Sequence, residues 1–168
     1  LLDRVLDKVN DAGLTDAIIN IHYLPEMIEE SLNKRGPSPT LTVSDERGEL
    51  LETGGGIKKA LDIIPDPSFF AINSDALCLD HEIAGVDDDT LNAMRDAWDP
   101  EKHDGLLIMV PRDEAMFFSG LGDFFMESDG KLIRRGDSDT APFVFGGIQI
   151  LKKSLFEGIA ENRFSLNK

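Results

Sequence analysis

The sequence predicts an α/β domain in which a sheet lies between two layers of helices. In the first half, short apolar runs rich in β-branched residues alternate with amphipathic stretches, a pattern typical of parallel strands joined by crossover helices. The segment 122–134 instead resembles a hairpin, with Ser-Asp-Gly at residues 128–130 as its turn. We therefore expect a three-layer αβα mixed sheet that is mostly parallel, with an added antiparallel hairpin.

Each element of the first half has its own signal. Apolar residues at helical spacing predict a helix over residues 1–11, and Gly13 follows as a C′ glycine. The β-branched run 17–21 predicts a buried strand. Pro25 is well placed as the first residue of the next helix, which the Gly-Pro pair at 36–37 terminates.

The remaining elements are predicted from the same periodicities. Strands are expected at residues 41–43, 69–72, 106–110 and 144–151. Helices are expected at residues 57–64, where Pro65 ends the helix, at 90–98, and near 154–160. No internal repeat or interdomain linker interrupts this order.

Composition limits what the domain can bind. The chain has 168 residues, 17 of them Lys or Arg and 32 Asp or Glu, so its formal net charge is 17 − 32 = −15. Nucleic-acid binding requires a basic surface, and no stripe rich in Lys or Arg is present, so nucleic acid is excluded as a partner. The longest apolar runs, such as residues 106–110, are far shorter than the ~20 residues of a membrane span.

The cysteine content indicates the cellular location of the protein, and the two ends of the chain indicate the extent of the domain. Cys78 is the single cysteine, so no internal disulfide can form, which is typical of cytoplasmic proteins. Helical periodicity begins at Leu1 without a capping residue, and the chain stops at Lys168 without a turn. We therefore expect one domain, residues 1–168, truncated at both ends and located in the cytoplasm.

One candidate site follows the predicted strand 69–72. Asn73, Ser74 and Asp75 come directly after it, and ligands of open α/β sheets bind beyond the carboxyl ends of strands. A carboxylate at this edge can hold Mg²⁺, which prefers oxygen ligands and is often shared with substrate phosphates. The alternative is that Asp75 caps the next element or closes an Asx-turn.

A second candidate site is the run of three glycines at Gly54, Gly55 and Gly56. Ordering three glycines is entropically expensive, so the run favours a place where backbone closely approaches a flat or charged ligand at a helix start. The alternative is a flexible surface loop. Lys58 is not followed by Ser or Thr, which excludes a Walker A loop, and Lys59 occupies the third glycine position of a dinucleotide fingerprint.

Other features are less specific. Gly146 and Gly147 interrupt an apolar strand, which indicates either a bulge or a close approach to a ligand. The three histidines show no metal-ligand spacing, and the acidic run at residues 87–89 is typical of a helix N-terminus.

Taken together, the chain resembles the sugar-1-phosphate nucleotidyltransferases, in particular the mannose-1-phosphate guanylyltransferase-like and N-acetylmuramate-1-phosphate uridylyltransferase-like branch. Four stretches, in this order, carry the resemblance: Ile19-Asn20-Ile21-His22-Tyr23-Leu24, Leu51-Glu52-Thr53-Gly54-Gly55-Gly56-Ile57, Phe70-Ala71-Ile72-Asn73-Ser74-Asp75 and Phe145-Gly146-Gly147-Ile148.

The resemblance implies a Rossmann-like nucleotide-binding sheet and a transfer reaction. A nucleoside triphosphate and a sugar 1-phosphate would give a nucleotide sugar and pyrophosphate. It further implies a role for each matching residue. Asp75 would bind the catalytic Mg²⁺, the sugar phosphate would contact Asn73, Gly122 and Gly147, and the base would contact Glu52, Thr53, Gly54, Gly55 and Gly56.

The sequence also departs from the family pattern. The family's glycine-rich phosphate loop should precede the opening helix, and its second metal-binding aspartate lies beyond Lys168, so we expect little turnover from this chain alone. Where some members have Glu-Lys, this chain has Arg134 and Arg135. Two alternatives stay open: a non-catalytic nucleotide-sugar-binding regulatory domain of the same fold, and a sugar transferase that uses a nucleotide sugar as donor.

Overall fold

A computed structural model describes residues 1–75 and 90–166 of the chain. The predictions on Cys78 and on the acidic run 87–89 lie outside these residues. The helices are α1 (Leu2–Asp11), α2 (Pro25–Asn33), α3 (Glu52–Ala60) and α4 (Thr90–Ala97), with a short 3₁₀ helix η1 (Lys153–Phe156). The strands are β1 (Asp16–Ile21), β2 (Thr40–Asp45), β3 (Ser68–Ile72), β4 (Gly105–Pro111), β5 (Phe124–Met126), β6 (Leu132–Arg134) and β7 (Phe143–Lys152).

Strand pairing divides the described strands into two sheets. β1 and β2 form a parallel pair, and β7 is the centre of a second sheet in which β3, β4 and β5 all run antiparallel to it. β5 also pairs with β6 in the expected hairpin. The predicted mixed α/β fold is confirmed. Among the described strands, however, only β1 and β2 pair in parallel and the other four pairings are antiparallel, so the expectation of a mostly parallel sheet was wrong there, because β3, β4 and β5 all pair with β7 in the opposite direction.

β7 pairs with three other strands, and the position of each along β7 determines which residues lie close together. β4 pairs along nearly the whole length of β7, from Phe143 to Leu151, and so occupies one of its two edges. β3 and β5 therefore share the other edge: β3 pairs with the second half of β7, whereas β5 meets it only at Phe143. The carboxyl end of β3 consequently points along β7 towards the start of β5.

Apolar side chains pack the helices against both sheets. Leu6 of α1 and Leu32 of α2 form a core cluster with Ile19 and Ile21 of β1. A second cluster joins α1 and α4 to β7 through the side chains of Val9, Ala12, Leu91, Met94, Ile148 and Ile150. Because α1 contributes to both clusters, it packs across the two sheets and holds them in one layer.

The third layer lies on the opposite face of the sheets. Side chains alternate between the faces of a strand, so Asn20, between Ile19 and Ile21, faces away from α1 and α2 and contacts α3 instead. Phe69 alternates in the same way with Phe70, which packs with the α1–α4 cluster, and contacts Phe156 of η1. The predicted three-layer arrangement is confirmed.

Several local predictions are confirmed. Gly13 follows α1 with φ +73°, Pro25 is the first residue of α2, and Gly130 in the hairpin turn has φ +88°.

No helix in residues 1–75 and 90–166 has the length and apolar character needed to cross a membrane.

One predicted helix has different bounds, and another is not an α-helix. α3 begins at Glu52, five positions before the expected start at residue 57, so the three glycines are helical rather than part of a loop. Glycine disfavours helix interiors by ~1 kcal/mol, so local propensity could not reveal this helix. The predicted helix near 154–160 is only the 3₁₀ helix η1, which ends two residues before Gly158 at φ +77°.

Candidate functional site

The carboxyl end of β3 lies beside a glycine of β7. The backbone N–H of Asn73 donates to the carbonyl oxygen of Gly147 at 2.8 Å, which extends the β3–β7 ladder by one residue. Asn73, Ser74 and Asp75 are all exposed. The structure therefore brings together two of the predicted sugar-side residues, Asn73 and Gly147, and places Asp75 two positions beyond that hydrogen bond.

Gly147 lies in an irregular part of β7. Leu107 pairs with Gln149 and Met109 with Phe145, so β4 advances two residues where β7 advances four. Gly147 itself has φ +83°, a conformation that L side chains rarely adopt. Of the two interpretations of this glycine pair, the bulge is confirmed.

Gly122 lies two positions before β5, beside Ala141, which precedes the start of β7. It has φ +82°, and a Cβ there would overlap the carbonyl oxygen of Ala141. Its own carbonyl oxygen accepts a hydrogen bond from Nε of Arg135 at 3.0 Å. Arg135 therefore orients the backbone of a predicted sugar-side residue, a role that its place in the sequence does not reveal.

Asp123 is a polar residue of this edge that the sequence did not identify. Its N–H donates to the carbonyl oxygen of Phe143 at 2.7 Å, and its Oδ2 accepts from the N–H of Phe145 at 2.9 Å. The side chain is exposed and lies on the β7 edge that Asn73 also contacts, two residues along from Gly147. The signal in the sequence that could have identified Asp123 is its position directly after a glycine at the start of the predicted hairpin.

A metal ion at Asp75 stays a prediction. Within the described ranges, no group of three or more His, Cys, Asp or Glu side chains is arranged to hold a metal ion. Asp75 is exposed at the carboxyl end of β3 and presents the hard oxygen atoms that Mg²⁺ prefers.

The first two glycines of α3 are covered by a later part of the chain. The N–H groups of Gly54 and Gly55 both donate to the carbonyl oxygen of Phe164, at 2.9 and 3.1 Å. A Cβ on Gly54 would overlap the Phe164 ring, and a Cβ on Gly55 would overlap the carbonyl oxygen of Asn162. These N–H groups are therefore not free for a ligand, contrary to expectation, and the glycines make room for residues 162–164.

The third glycine packs on a buried carboxylate. A Cβ on Gly56 would lie 2.7 Å from Oε1 of Glu46, a side chain that is only 5% exposed. Nδ2 of Asn20 donates to the same oxygen at 2.6 Å and to the carbonyl oxygen of Gly56 at 3.0 Å. Asn20 thus ties β1 to α3 and to the turn after β2. The sequence did not single out Glu46, and its only signal is a charged residue directly after a strand.

Glu52 and Thr53 are the exposed members of the glycine segment. Glu52 has φ +64° and lies 3.5 Å from Nη2 of Arg163, whereas Oγ1 of Thr53 accepts the N–H of Leu166 at 3.0 Å. The side chains open to solvent at the start of α3 are therefore polar, and both contact residues 163–166.

Charges around the turn after β2 stabilise its conformation. The N–H of Arg47 donates to Oδ1 of Asp45 and, as the largest contribution, holds the pKa of that carboxyl below its ordinary value. The Lys59 side chain of α3 also donates to the backbone oxygen of Asp45. These contacts hold the turn that carries Glu46 against α3.

The chain is similar in sequence to known proteins. No sequence-family profile matches the chain. The chain is 35% identical over 169 residues to N-acetylmuramate alpha-1-phosphate uridylyltransferase of Caulobacter vibrioides, an alignment that covers 99% of this chain and 68% of the relative. It is also 27% identical over 169 residues to mannose-1-phosphate guanyltransferase of Schizosaccharomyces pombe, covering 94% of this chain and 42% of that protein.

Two solved structures share the fold. HddC from Yersinia pseudotuberculosis, in complex with GMP-PN, superimposes with a TM-score of 0.73 at 22% identity, over 99% of this chain and 68% of HddC. UDP-glucose pyrophosphorylase in complex with UDP-glucose superimposes with a TM-score of 0.69 at 13% identity, over 96% of this chain and 69% of that protein. At these identities the likeness establishes the fold alone.

The fold and the relatives together define a transferase class, the nucleotidyltransferases. Within that class, the extent and identity of the first alignment place the chain more narrowly. The chain belongs to the sugar-1-phosphate nucleotidyltransferase family, as the sequence motifs predicted.

Proposed function

We propose that this protein, when complete, transfers a uridylyl group from UTP to N-acetylmuramate 1-phosphate, giving the UDP-sugar and pyrophosphate. The observation that carries this choice is the 35% identity to a uridylyltransferase of that name over 99% of the chain. Identity to the S. pombe mannose-1-phosphate guanyltransferase over a similar length is 27%, which makes guanylyl transfer to mannose 1-phosphate the second candidate. Nothing in the described residues favours a non-catalytic regulatory domain.

The described site supports a division of the substrates between two regions. Asn73 is hydrogen-bonded to Gly147 in β7, and Gly122 directly precedes Asp123, which is hydrogen-bonded to Phe143 at the start of β7; we assign the sugar phosphate to this edge. We assign the nucleotide to the start of α3, where Glu52 and Thr53 are exposed. The N–H groups of Gly54 and Gly55 are engaged with Phe164, so any contact of these glycines with the base would be made by other atoms.

Charge is the main obstacle to this reaction. The chain has a net charge of −15, and it must bring together two anionic substrates in line at the α-phosphorus. Mg²⁺ at Asp75 would neutralise phosphate charge and orient the oxygens. Asp75 fits this role, because its carboxylate is exposed at the end of β3. In the same proposal, the backbone at Gly122 and Gly147 positions the sugar. We also propose that the protein works in the cytoplasm.

The substrates are tested by pyrophosphate release from the complete protein. Each of UTP, GTP, CTP and ATP is combined with N-acetylmuramate, N-acetylglucosamine, glucose and mannose 1-phosphates. We expect the highest kcat/KM with UTP and N-acetylmuramate 1-phosphate. Faster turnover of GTP with mannose 1-phosphate would replace the first candidate by the second, and no pyrophosphate with any pair would contradict nucleotidyl transfer.

The metal assignment is tested by Asp75→Asn. We expect kcat/KM to fall by about a hundredfold or more, because a ligand that clamps the metal contributes several kcal/mol to the transition state. The Mg²⁺ concentration for half-maximal rate should rise as well. The matched control is Asp66→Asn, an exposed aspartate that precedes β3 instead of following it. Unchanged turnover and Mg²⁺ dependence in Asp75→Asn would show that the assignment is wrong.

A further inference from the structure

Residues 159–166, which we call the strap, cross the start of α3. Besides accepting hydrogen bonds from Gly54 and Gly55, Phe164 donates its N–H to the carbonyl oxygen of Leu51 at 3.2 Å. The N–H of Leu166 donates to Oγ1 of Thr53 at 3.0 Å. The strap is therefore hydrogen-bonded to the segment that we assign to the nucleotide.

A lysine of α3 holds the other end of the strap. Nζ of Lys58 donates to the carbonyl oxygens of Ile159 and Glu161, at 2.7 and 2.9 Å. These are charge-assisted hydrogen bonds, which are stronger than neutral ones. The strap is thus anchored to α3 on both sides of Phe164, and its course over the helix is defined by more than one contact.

The strap also contacts the second sheet. The Phe164 ring lies 6.5 Å from the ring of Phe156, which in turn lies 6.3 Å from the ring of Phe69 in β3. Nη2 of Arg134 in β6 donates to the carbonyl oxygen of Leu166 at 2.9 Å. One short segment therefore contacts α3 and the hairpin that begins after Gly122 directly, and it reaches the strand that leads to Asp75 through Phe156 of η1.

This link bridges two parts that share no backbone ladder among the described strands. α3 packs on β1 and β2, whereas the residues assigned to the sugar phosphate and the metal follow β3 and flank β7. A transfer reaction depends on the relative position of its two substrates, and a shift of ~1 Å in that position can cost about a hundredfold in rate. A rigid connection between the two parts therefore has direct consequences for catalysis.

We propose that the strap is a positioning element that sets the orientation of residues 52–56 relative to the carboxyl end of β3, with Phe164 as its central positioning residue. The proposal rests on the assignment of the nucleotide to residues 52–56 in the proposed function. Phe164 has its effect on the substrates indirectly. It acts through the backbone of Gly54 and Gly55, and through ring contact with Phe156.

The test compares Phe164→Ala and Phe164→Leu in the complete protein. We expect Phe164→Ala, which removes the ring packed against Gly54, to raise the KM for UTP about tenfold and to lower kcat because the two substrates lose their alignment, while the KM for the sugar 1-phosphate changes less than twofold. Phe164→Leu, which retains apolar contact with Phe156, should recover most of the UTP affinity. Lys58→Gln, which releases the other anchor, should raise the same KM in the same direction.

A stability control separates positioning from folding. Leu32→Ala removes a side chain that is 8% exposed in the α1–α2–β1 cluster, away from the strap, and should lower Tm without changing either KM. If Phe164→Ala lowers Tm but leaves the UTP KM within twofold of wild type, the strap is only structural and the proposal is wrong. If Phe164→Ala does not fold, the KM values of Phe164→Leu and Lys58→Gln decide by the same criterion.

Failure of the proposed function gives a different result. If wild type turns over another nucleotide faster than UTP, the substrate assignment fails, and the variants are compared with that nucleotide. If wild type releases no pyrophosphate, calorimetric titration with UTP and GTP replaces KM by Kd. A Kd that Phe164→Ala raises about tenfold, with Leu32→Ala unchanged, would support the strap, and equal Kd values for wild type and Phe164→Ala would overturn it.

Discussion

The glycines of α3 and the glycines beside β7 have different physical roles. Gly54, Gly55 and Gly56 have helical backbone conformations that any residue can adopt, and what excludes a side chain is the chain packed against them. Gly122 and Gly147 have φ values of +82° and +83°, so their backbone conformation itself favours glycine. In α3 glycine is needed because there is no room for a side chain, whereas beside β7 it is needed because of the backbone conformation. Substitution by alanine can distinguish these two causes.

Gly122→Ala should have the largest effect, because it combines both causes. The new Cβ would overlap the carbonyl oxygen of Ala141, a backbone atom that cannot move aside, and the positive φ adds strain. We expect the free energy of unfolding to fall by about 4 kcal/mol in urea denaturation. Gly130→Ala is the control, since it has φ +88° and open space, and should cost about 1–2 kcal/mol. Equal losses in the two variants would mean that packing at Gly122 contributes nothing.

Gly55→Ala tests the steric cost of a side chain alone, because the helical backbone conformation of Gly55 is open to any residue. Alanine favours a helix by ~1 kcal/mol over glycine, so α3 taken alone would be stabilised. The Cβ would instead meet the carbonyl oxygen of Asn162, and we expect a net loss of about 2 kcal/mol in the free energy of unfolding. Gly48→Ala, where nothing lies within 4 Å, should be neutral or stabilising by about 0.5 kcal/mol. A stabilised Gly55→Ala would contradict the packing of the strap on α3.

Gly56→Ala should have a smaller effect, because its neighbour is a side chain. Oε1 of Glu46 lies 2.7 Å from the position that the alanine Cβ would take, and it can rotate away at the cost of its hydrogen bond with Asn20. We expect a net loss of about 1 kcal/mol, because the gain in helix propensity offsets part of the cost. In a Glu46→Asp background the shorter side chain leaves room, so the double variant should be more stable than the sum of the single losses predicts. Strict additivity in urea denaturation would show that the two residues do not interact.

Local signals in the sequence predicted most of the fold. The β-branched run of β1, Pro25 at the start of α2 and Gly130 in the hairpin turn act over a few neighbouring residues, so their pattern can be recognised without coordinates. The start of α3 could not be predicted in this way. Its glycines disfavour a helix locally, and contacts with Phe164, more than a hundred positions later, compensate for that preference.

The candidate site shows the same division. Asp75 and Asn73 were predicted as site residues because a polar group after a buried strand lies at a sheet edge, and the structure places both at the carboxyl end of β3. Glu46 and Asp123 were missed, because their importance comes from partners distant in sequence: Gly56 and Asn20 for Glu46, and Phe145 for Asp123. A carboxylate packed against a helix and one exposed to solvent are the same residue type, so the sequence alone does not distinguish them.

The sequence by itself therefore determined the α/β class, the order of most elements and the family to which the chain belongs, because periodicity, turn residues and short motifs are local properties. Only the tertiary structure decided why each glycine is there, that the N–H groups of Gly54 and Gly55 bind Phe164, and that residues 159–166 join α3 to the second sheet. Those contacts connect residues far apart in the chain. They exist only once burial of apolar surface in the two core clusters has brought the sheets and helices together.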